Sequence, residues 1–144
     1  MLKQLAILII AIFHLLSTDS QAQGSQGFVV VVKSSSQHQT IKDIVALKNK
    51  NCGTDHLSTQ LGGGPKACQT LNQRTGMQAI AIPYRNASSM LVDLQSDQVD
   101  FGVLPIETAS EFLRGGKIRA IVVSSTARVS EMPGIPTLSE SGFK

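Results

Sequence analysis

The chain has 144 residues and a mass of 15.4 kDa, enough for one ordinary domain. Hydrophobic residues make up 42% of it and charged residues 16%, which argues against a disordered chain. Tryptophan is absent and aromatic residues make up 4%, so a stacking surface for single-stranded nucleic acid is not expected. The net charge of +3 is spread along the chain, which also argues against a nucleic-acid partner.

Residues 1–22 have the pattern of a secretory signal peptide. Lys3 supplies the positive charge, residues 5–16 are apolar, and Ser20 and Ala22 are the small residues that a signal peptidase reads. A retained membrane anchor is the alternative, but a span needs about 20 apolar residues. We therefore predict cleavage after Ala22 and export, with residues 23–144 forming a single domain.

The two cysteines, Cys52 and Cys68, would be exported together with the chain. An oxidising compartment permits a disulfide between them, and the sequence leaves two free thiols equally open. No pair of histidines accompanies the cysteines at a ligand spacing, so no metal site is expected.

Strand and helix patterns alternate along the rest of the chain. The predicted elements are strand 28–32, helix 40–50, loop 51–64, helix 65–75, strand 77–82, helix 87–96, strand 98–103, helix 106–114, strand 117–124 and an irregular tail 125–144. This alternation predicts an α/β fold with a mainly parallel sheet flanked by helices.

Ligands of such folds bind where the strands end, and two segments there are candidates for binding an anion. The first is a glycine-rich loop running into a helix, with candidate residues Ser58, Thr59, Gly62, Gly63, Gly64 and Lys66. Glycines let backbone N–H groups approach an anion, and a helix N-terminus carries partial positive charge. The second contains Tyr84 and Arg85, where Arg85 offers a planar set of donors. A glycine-rich surface turn and a capped turn are the structural alternatives for these two segments.

The sequence lacks the signatures of an enzyme. It has no Gly-x-Ser-x-Gly nucleophile motif, and His38 and His56 do not have the spacing of a metal site. We therefore expect no catalytic activity and no cofactor.

Five segments, taken in order, resemble the extracytoplasmic solute receptors of tripartite tricarboxylate transporters, the Bug or TctC-like proteins. They are 40–47 (TIKDIVAL), 76–85 (GMQAIAIPYR), 94–101 (LQSDQVDF), 114–123 (RGGKIRAIVV) and 128–142 (RVSEMPGIPTLSESG). The resemblance implies a periplasmic location for the exported chain, and the fold of one domain, the second, of a type II periplasmic binding protein. It also implies that the loop at 58–64 and the turn at Tyr84 bind a small carboxylate for the membrane subunits of a transporter.

Members of that family are about twice this length, and the part that resembles them is their second lobe. Only half of the binding cleft is then expected, so the resemblance implies weak binding unless a partner chain supplies the other lobe. Two other functions remain open from the sequence: an exported protein–protein interaction module, and a truncated remnant without function.

Overall fold

The computed structural model describes residues 27–55 and 64–144. The predicted leader 1–22 and the candidate site residues Ser58, Thr59, Gly62 and Gly63 lie outside the described residues. The strands are β1 Phe28–Lys33, β2 Asn51–Asp55, β3 Ile80–Tyr84, β4 Phe101–Pro105 and β5 Ile118–Val123. The helices are α1 Ile41–Val45, α2 Pro65–Thr75, α3 Ala87–Gln95 and α4 Ile106–Leu113.

The five strands form one sheet in the order β3-β2-β4-β1-β5. β2 is parallel to both β3 and β4, whereas β1 is antiparallel to β4 and to β5. Thus β1 alone runs against the other four strands, and successive strands from β2 to β5 are joined through helices. The predicted α/β fold with a mainly parallel sheet is confirmed, with β1 as its antiparallel member.

The β1 sequence FVVVV is buried on both faces of the sheet, as a continuous β-branched run predicts. Val30 and Val32 belong to the core cluster on one face, and Val29 and Val31 belong to the cluster on the other. The first cluster also contains residues of α1 and α2, and the second contains residues of α3 and α4. Because side chains alternate along a strand, β1 contributes to both layers.

The helix predicted over 40–50 is shorter than expected. Thr40 caps it as predicted: its hydroxyl accepts a hydrogen bond from the Asp43 N–H at 3.3 Å, and the Asp43 carboxylate accepts one from the Thr40 N–H at 2.8 Å. These bonds hold the pKa of Asp43 below its usual value. The helix ends at Val45, and residues 46–50 connect it to β2.

The loop predicted over 51–64 is wrong in its first part, because residues 51–55 form β2 in the interior of the sheet. This strand lacks a hydrophobic pattern, yet Cys52, Gly53, Thr54 and Asp55 are all buried. Neighbouring strands on both sides satisfy its backbone groups, which compensates for a sequence of low strand propensity.

The strand predicted over 77–82 lies two to three residues later, and Pro83 is inside it rather than at its end. β3 is the last strand on its side of the described sheet. Ile80 donates its N–H to the Lys50 carbonyl at 2.8 Å, so the alternation along the strand turns position 83 outward. A proline is tolerated there because its missing N–H would face away from β2.

The cysteines are joined in a disulfide that connects β2 to the first turn of α2, with a Cα–Cα distance of 6.3 Å. Both residues are buried in the first core cluster. A cross-link that closes a loop of this length contributes about 3 kcal/mol in the chain-entropy account.

Residues 125–144 form turns rather than helices or strands, as predicted, but they pack on the sheet. Thr137 makes an isolated parallel bridge with Val123, and Leu138 is buried in the first core cluster. Within the described ranges, no helix combines the length and the hydropathy that crossing a bilayer requires.

Candidate functional site

The carboxyl ends of β2, β3 and β4 meet along one edge of the sheet. Asp55 lies opposite Tyr84 in the ladder between β2 and β3, and Thr54 lies opposite Val103 in the ladder between β2 and β4. We call the surface around Asp55, Gly64, Tyr84 and Arg85 the carboxyl edge. Helices α2 and α3 both begin beside it, at Pro65 and Ala87.

The candidate residues Gly64 and Lys66 lie at the start of α2. Gly64 has φ +70° and ψ −164°, a backbone conformation that favours glycine, and a Cβ there would lie 3.6 Å from the Asp55 carbonyl oxygen. Gly64 offers no side chain to cap the helix, and Pro65 carries no N–H. Lys66 is exposed on the first turn, so its ammonium and backbone N–H are the donors that this end of α2 adds to the carboxyl edge.

Tyr84 lies at the end of β3, and its ring packs against the second core cluster. Its hydroxyl donates a hydrogen bond to the Asp93 carboxylate of α3 at 2.7 Å. Burial, and then the bond to Asp93 and the Asp93 charge, raise the pKa of Tyr84 to about 12. Because this proton is already donated, the Tyr84 oxygen serves a ligand as an acceptor, which suits a ligand hydroxyl better than a carboxylate.

Arg85 follows β3 directly and is exposed. The next residue, Asn86, caps α3: its side-chain oxygen accepts a hydrogen bond from the Ser89 N–H at 2.9 Å. This cap fixes the backbone where β3 turns into α3, and Arg85 lies within that turn. The structure therefore places Gly64, Tyr84 and Arg85 at one edge of the sheet, with Lys66 at the adjoining helix start.

Asp55 is a residue of this edge that sequence reasoning missed. It ends β2 directly opposite Tyr84, and only 7% of its surface is exposed. In the sequence, Asp55 could have been found only as the last residue of a strand. That strand was not predicted, because residues 51–64 have the pattern of a loop.

Across the described ranges, no group of three or more His, Cys, Asp and Glu side chains is arranged to hold a metal ion.

Comparison with known proteins identifies the family. The profile of the family described as "Tripartite tricarboxylate transporter family receptor" matches residues 19–144. A protein of Agrobacterium vitis, described as a UPF0065 protein in the TAR-I ttuE-ttuC' intergenic region, is 24% identical over 117 residues, which cover 80% of this chain and 34% of that protein. The protein BugT of Bordetella pertussis is 31% identical over 70 residues, which cover 49% of this chain and 22% of BugT. The chain therefore spans about a third or less of the length of these curated relatives.

Solved structures show the same fold. A TctC solute binding protein from Polaromonas superposes with a TM-score of 0.68 at 18% identity, over 83% of this chain and 41% of that one. The periplasmic binding protein BugD gives a TM-score of 0.65 at 23% identity, over 81% and 40% of the two chains. MatC of Rhodopseudomonas palustris, solved with bound malate, gives 0.67 at 21% identity, over 81% and 40%. The fold is that of one domain of a type II periplasmic binding protein, and by its profile match the chain belongs to the receptor family of the tripartite tricarboxylate transporters.

Proposed function

We propose that this protein is a periplasmic receptor component that binds a small carboxylate at the carboxyl edge, for delivery to a tripartite tricarboxylate-type transporter. The observation that carries the proposal is the match to the receptor family over residues 19–144. Two observations support it: a structure with the same fold has malate bound, and the carboxyl edge has Arg85 directly after β3 and Lys66 in the first turn of α2.

Each group at the edge has a distinct task in this proposal. The ligand carboxylate approaches the start of α2, where Lys66 and the positive end of the helix dipole favour an anion, and Arg85 approaches it from β3. The Tyr84 oxygen accepts hydrogen bonds from ligand hydroxyls or bound water.

We propose further that this chain forms one wall of the ligand site. It spans about 40% of the solved receptors that share its fold. A small anion binds tightly only where it is enclosed and desolvated, so one wall alone gives weak affinity. A partner chain or a further lobe then supplies the other wall.

The test is a titration of the ¹⁵N-labelled protein, purified from the periplasm of an expression host, with malate, citrate and a monocarboxylate. We expect weak, saturable amide shifts centred on Gly64, Lys66, Tyr84 and Arg85. Lys66→Ala should weaken the malate shifts about two- to fivefold, as loss of one partly solvated charge contact does. The matched control is Lys48→Ala, which removes the same charge from an exposed residue away from this edge.

The outcomes separate the three functions that the sequence leaves open. Shifts scattered over the surface, or equal effects of the two lysine variants, would contradict binding at the carboxyl edge. A well-dispersed spectrum that no carboxylate changes would favour an interaction module, and a collapsed spectrum would favour a remnant. The mass of the purified protein reports separately whether the leader is removed after Ala22.

A further inference from the structure

The disulfide between Cys52 and Cys68 joins the candidate site to the interior of the sheet. Cys52 lies in β2, where its neighbours in the ladder are Ala81 of β3 and Phe101 of β4, so its backbone is held on both sides. Cys68 lies in the first turn of α2, two residues after Lys66. The bond therefore ties a fixed point of the sheet to the helix start that contributes Lys66 to the carboxyl edge.

The start of α2 is divided between buried and exposed residues. Ala67 and Cys68 are buried in the first core cluster, each with 1% of its surface exposed, whereas Pro65 and Lys66 are exposed. Residues two apart in a helix point about 200° apart around its axis. Because the bond turns Cys68 towards β2, it also sets the direction in which the Lys66 side chain leaves the helix, away from the core.

The second half of α2 is attached by hydrogen bonds of its own. Asn72 exchanges two of them with Ala79: its Nδ2 donates to the carbonyl at 2.9 Å, and its Oδ1 accepts from the N–H at 3.0 Å. Arg74 donates to the Ser124 carbonyl at 2.9 Å. At the other end of the helix, Gly64 supplies no side-chain cap. The first turn is thus held to β2 chiefly by the cross-link and by the packing of two small side chains.

We propose that the cross-link between Cys52 and Cys68 is a positioning device for the carboxylate site, which holds Lys66 and the first turn of α2 in the arrangement that binds the anion. The inference rests on the proposed function, since it assigns this bond a task in that same site. A helix start that is already ordered loses less conformational freedom when a ligand binds, so the cross-link improves affinity without contacting the ligand. This task differs from general stabilisation, because loss of the bond acts first on the order and direction of Lys66.

The test is a double-mutant cycle on malate binding, followed by the amide shifts of the ¹⁵N-labelled protein purified from the periplasm. Cys52→Ala/Cys68→Ala removes the bond and should raise the malate dissociation constant about fivefold or more. Lys66→Ala, which weakens binding in the cross-linked protein, should then have little further effect, because the ammonium is no longer held at the site. Lys48→Ala is the matched control and should leave the dissociation constant unchanged in both backgrounds.

A second control separates positioning from stability. Leu138→Ala removes a buried side chain from the same core cluster and keeps the cross-link. It destabilises the fold, yet the folded variant should bind malate as the wild type does. Cys52→Val/Cys68→Ala is a second variant without the bond, with a residue at position 52 that favours a strand, and it replaces the alanine pair if that pair does not fold. Circular dichroism of each variant checks that it is folded.

The outcomes distinguish this inference from the function on which it rests. Additive effects of the cross-link variant and Lys66→Ala would overturn the inference and leave the proposed function in place. The same holds for a Leu138→Ala protein that loses as much malate affinity as the cross-link variants do. A wild-type protein whose amide shifts do not respond to malate would contradict the proposed function, and the inference with it.

Discussion

Tyr84 is the only tyrosine of the chain, and its hydroxyl is hydrogen-bonded to the side chain of Asp93. The ring is half-buried and the hydroxyl donates to Asp93, so burial and the neighbouring carboxylate together raise its pKa to about 12. The neutral form is thus favoured in the folded state relative to the unfolded chain, whose tyrosine titrates near 10. The resulting contribution to stability is complete below about pH 10 and is lost as the pH rises through 12.

The tyrosinate absorbance of the folded protein should therefore titrate well above pH 10, and with a single tyrosine the signal has one source. Asp93→Asn should lower the midpoint only part of the way to 10, because burial, the larger cause, is unchanged. Glu107→Gln removes an exposed carboxylate from the start of α4 and should leave the midpoint in place. A wild-type midpoint at 10 would contradict both causes, and an Asp93→Asn midpoint equal to that of the wild type would show that the hydroxyl is not held by Asp93.

Individual residues of the candidate site were predictable to different degrees. Tyr84 and Arg85 follow an apolar run that ends near a proline, so their position at the end of a strand could be read locally. The acceptor of the Tyr84 hydroxyl could not be predicted in this way, because Asp93 lies nine residues further along the chain, on the next helix. Asp55 was missed because its place depends on strand pairing with Tyr84, which no local pattern encodes.

Among the elements, helices α2 and α3 could be predicted from the residues at their ends, whereas strand β2 could not be predicted from its own sequence. α2 begins at Pro65 and ends before Gly76, which has φ +74°, and α3 begins after the Asn86 cap. In contrast, β2 is a strand only in its tertiary context. Gly53 of β2 lies opposite Gly102 of β4, and the side chain of Met90 from α3 packs over both. Positions 53 and 102 need small residues because the Met90 side chain of α3 fills the space above them.

This packing predicts that the two glycines differ in their tolerance of a methyl group. A Cβ on Gly53 would lie 2.7 Å from Met90 Cγ, near the root of that side chain, whereas one on Gly102 would lie 2.8 Å from Met90 Cε at its flexible end. Gly53→Ala should therefore lower the free energy of unfolding by about 1–3 kcal/mol, and Gly102→Ala by less.

Urea denaturation measures both effects. The control is a double-mutant cycle with Met90→Ala, which removes the clashing side chain and leaves a cavity of its own. Gly53→Ala should cost less in the Met90→Ala background than in the wild type. Additive effects would mean that Met90 is not what excludes a side chain at position 53.

For the molecule as a whole, the tail 125–144 is as much a part of the fold as the helices. Arg128 donates from Nε to both carboxylate oxygens of Glu140, at 3.0 and 3.1 Å, and from a terminal nitrogen to the Pro133 carbonyl. Glu140 in turn accepts from the Thr137 N–H at 2.8 Å, and these bonds hold its pKa below the usual value. The segment 128–142, read from the sequence as a family motif, thus has a structural use: it positions Leu138.

Leu138 is fully buried in the first core cluster, although it lies in a segment without helix or strand. Its N–H donates to the Val123 carbonyl at 3.0 Å, so the backbone is tied to the end of β5 while the side chain fills the core. Leu138→Ala should then lower the free energy of unfolding by about 2–5 kcal/mol, the range for a leucine removed from a packed core. Leu113→Ala, at the half-buried end of α4, is the matched control and should cost less. Urea denaturation of both variants decides the point: equal losses would mean that the tail lies on the surface of the protein rather than closing its core.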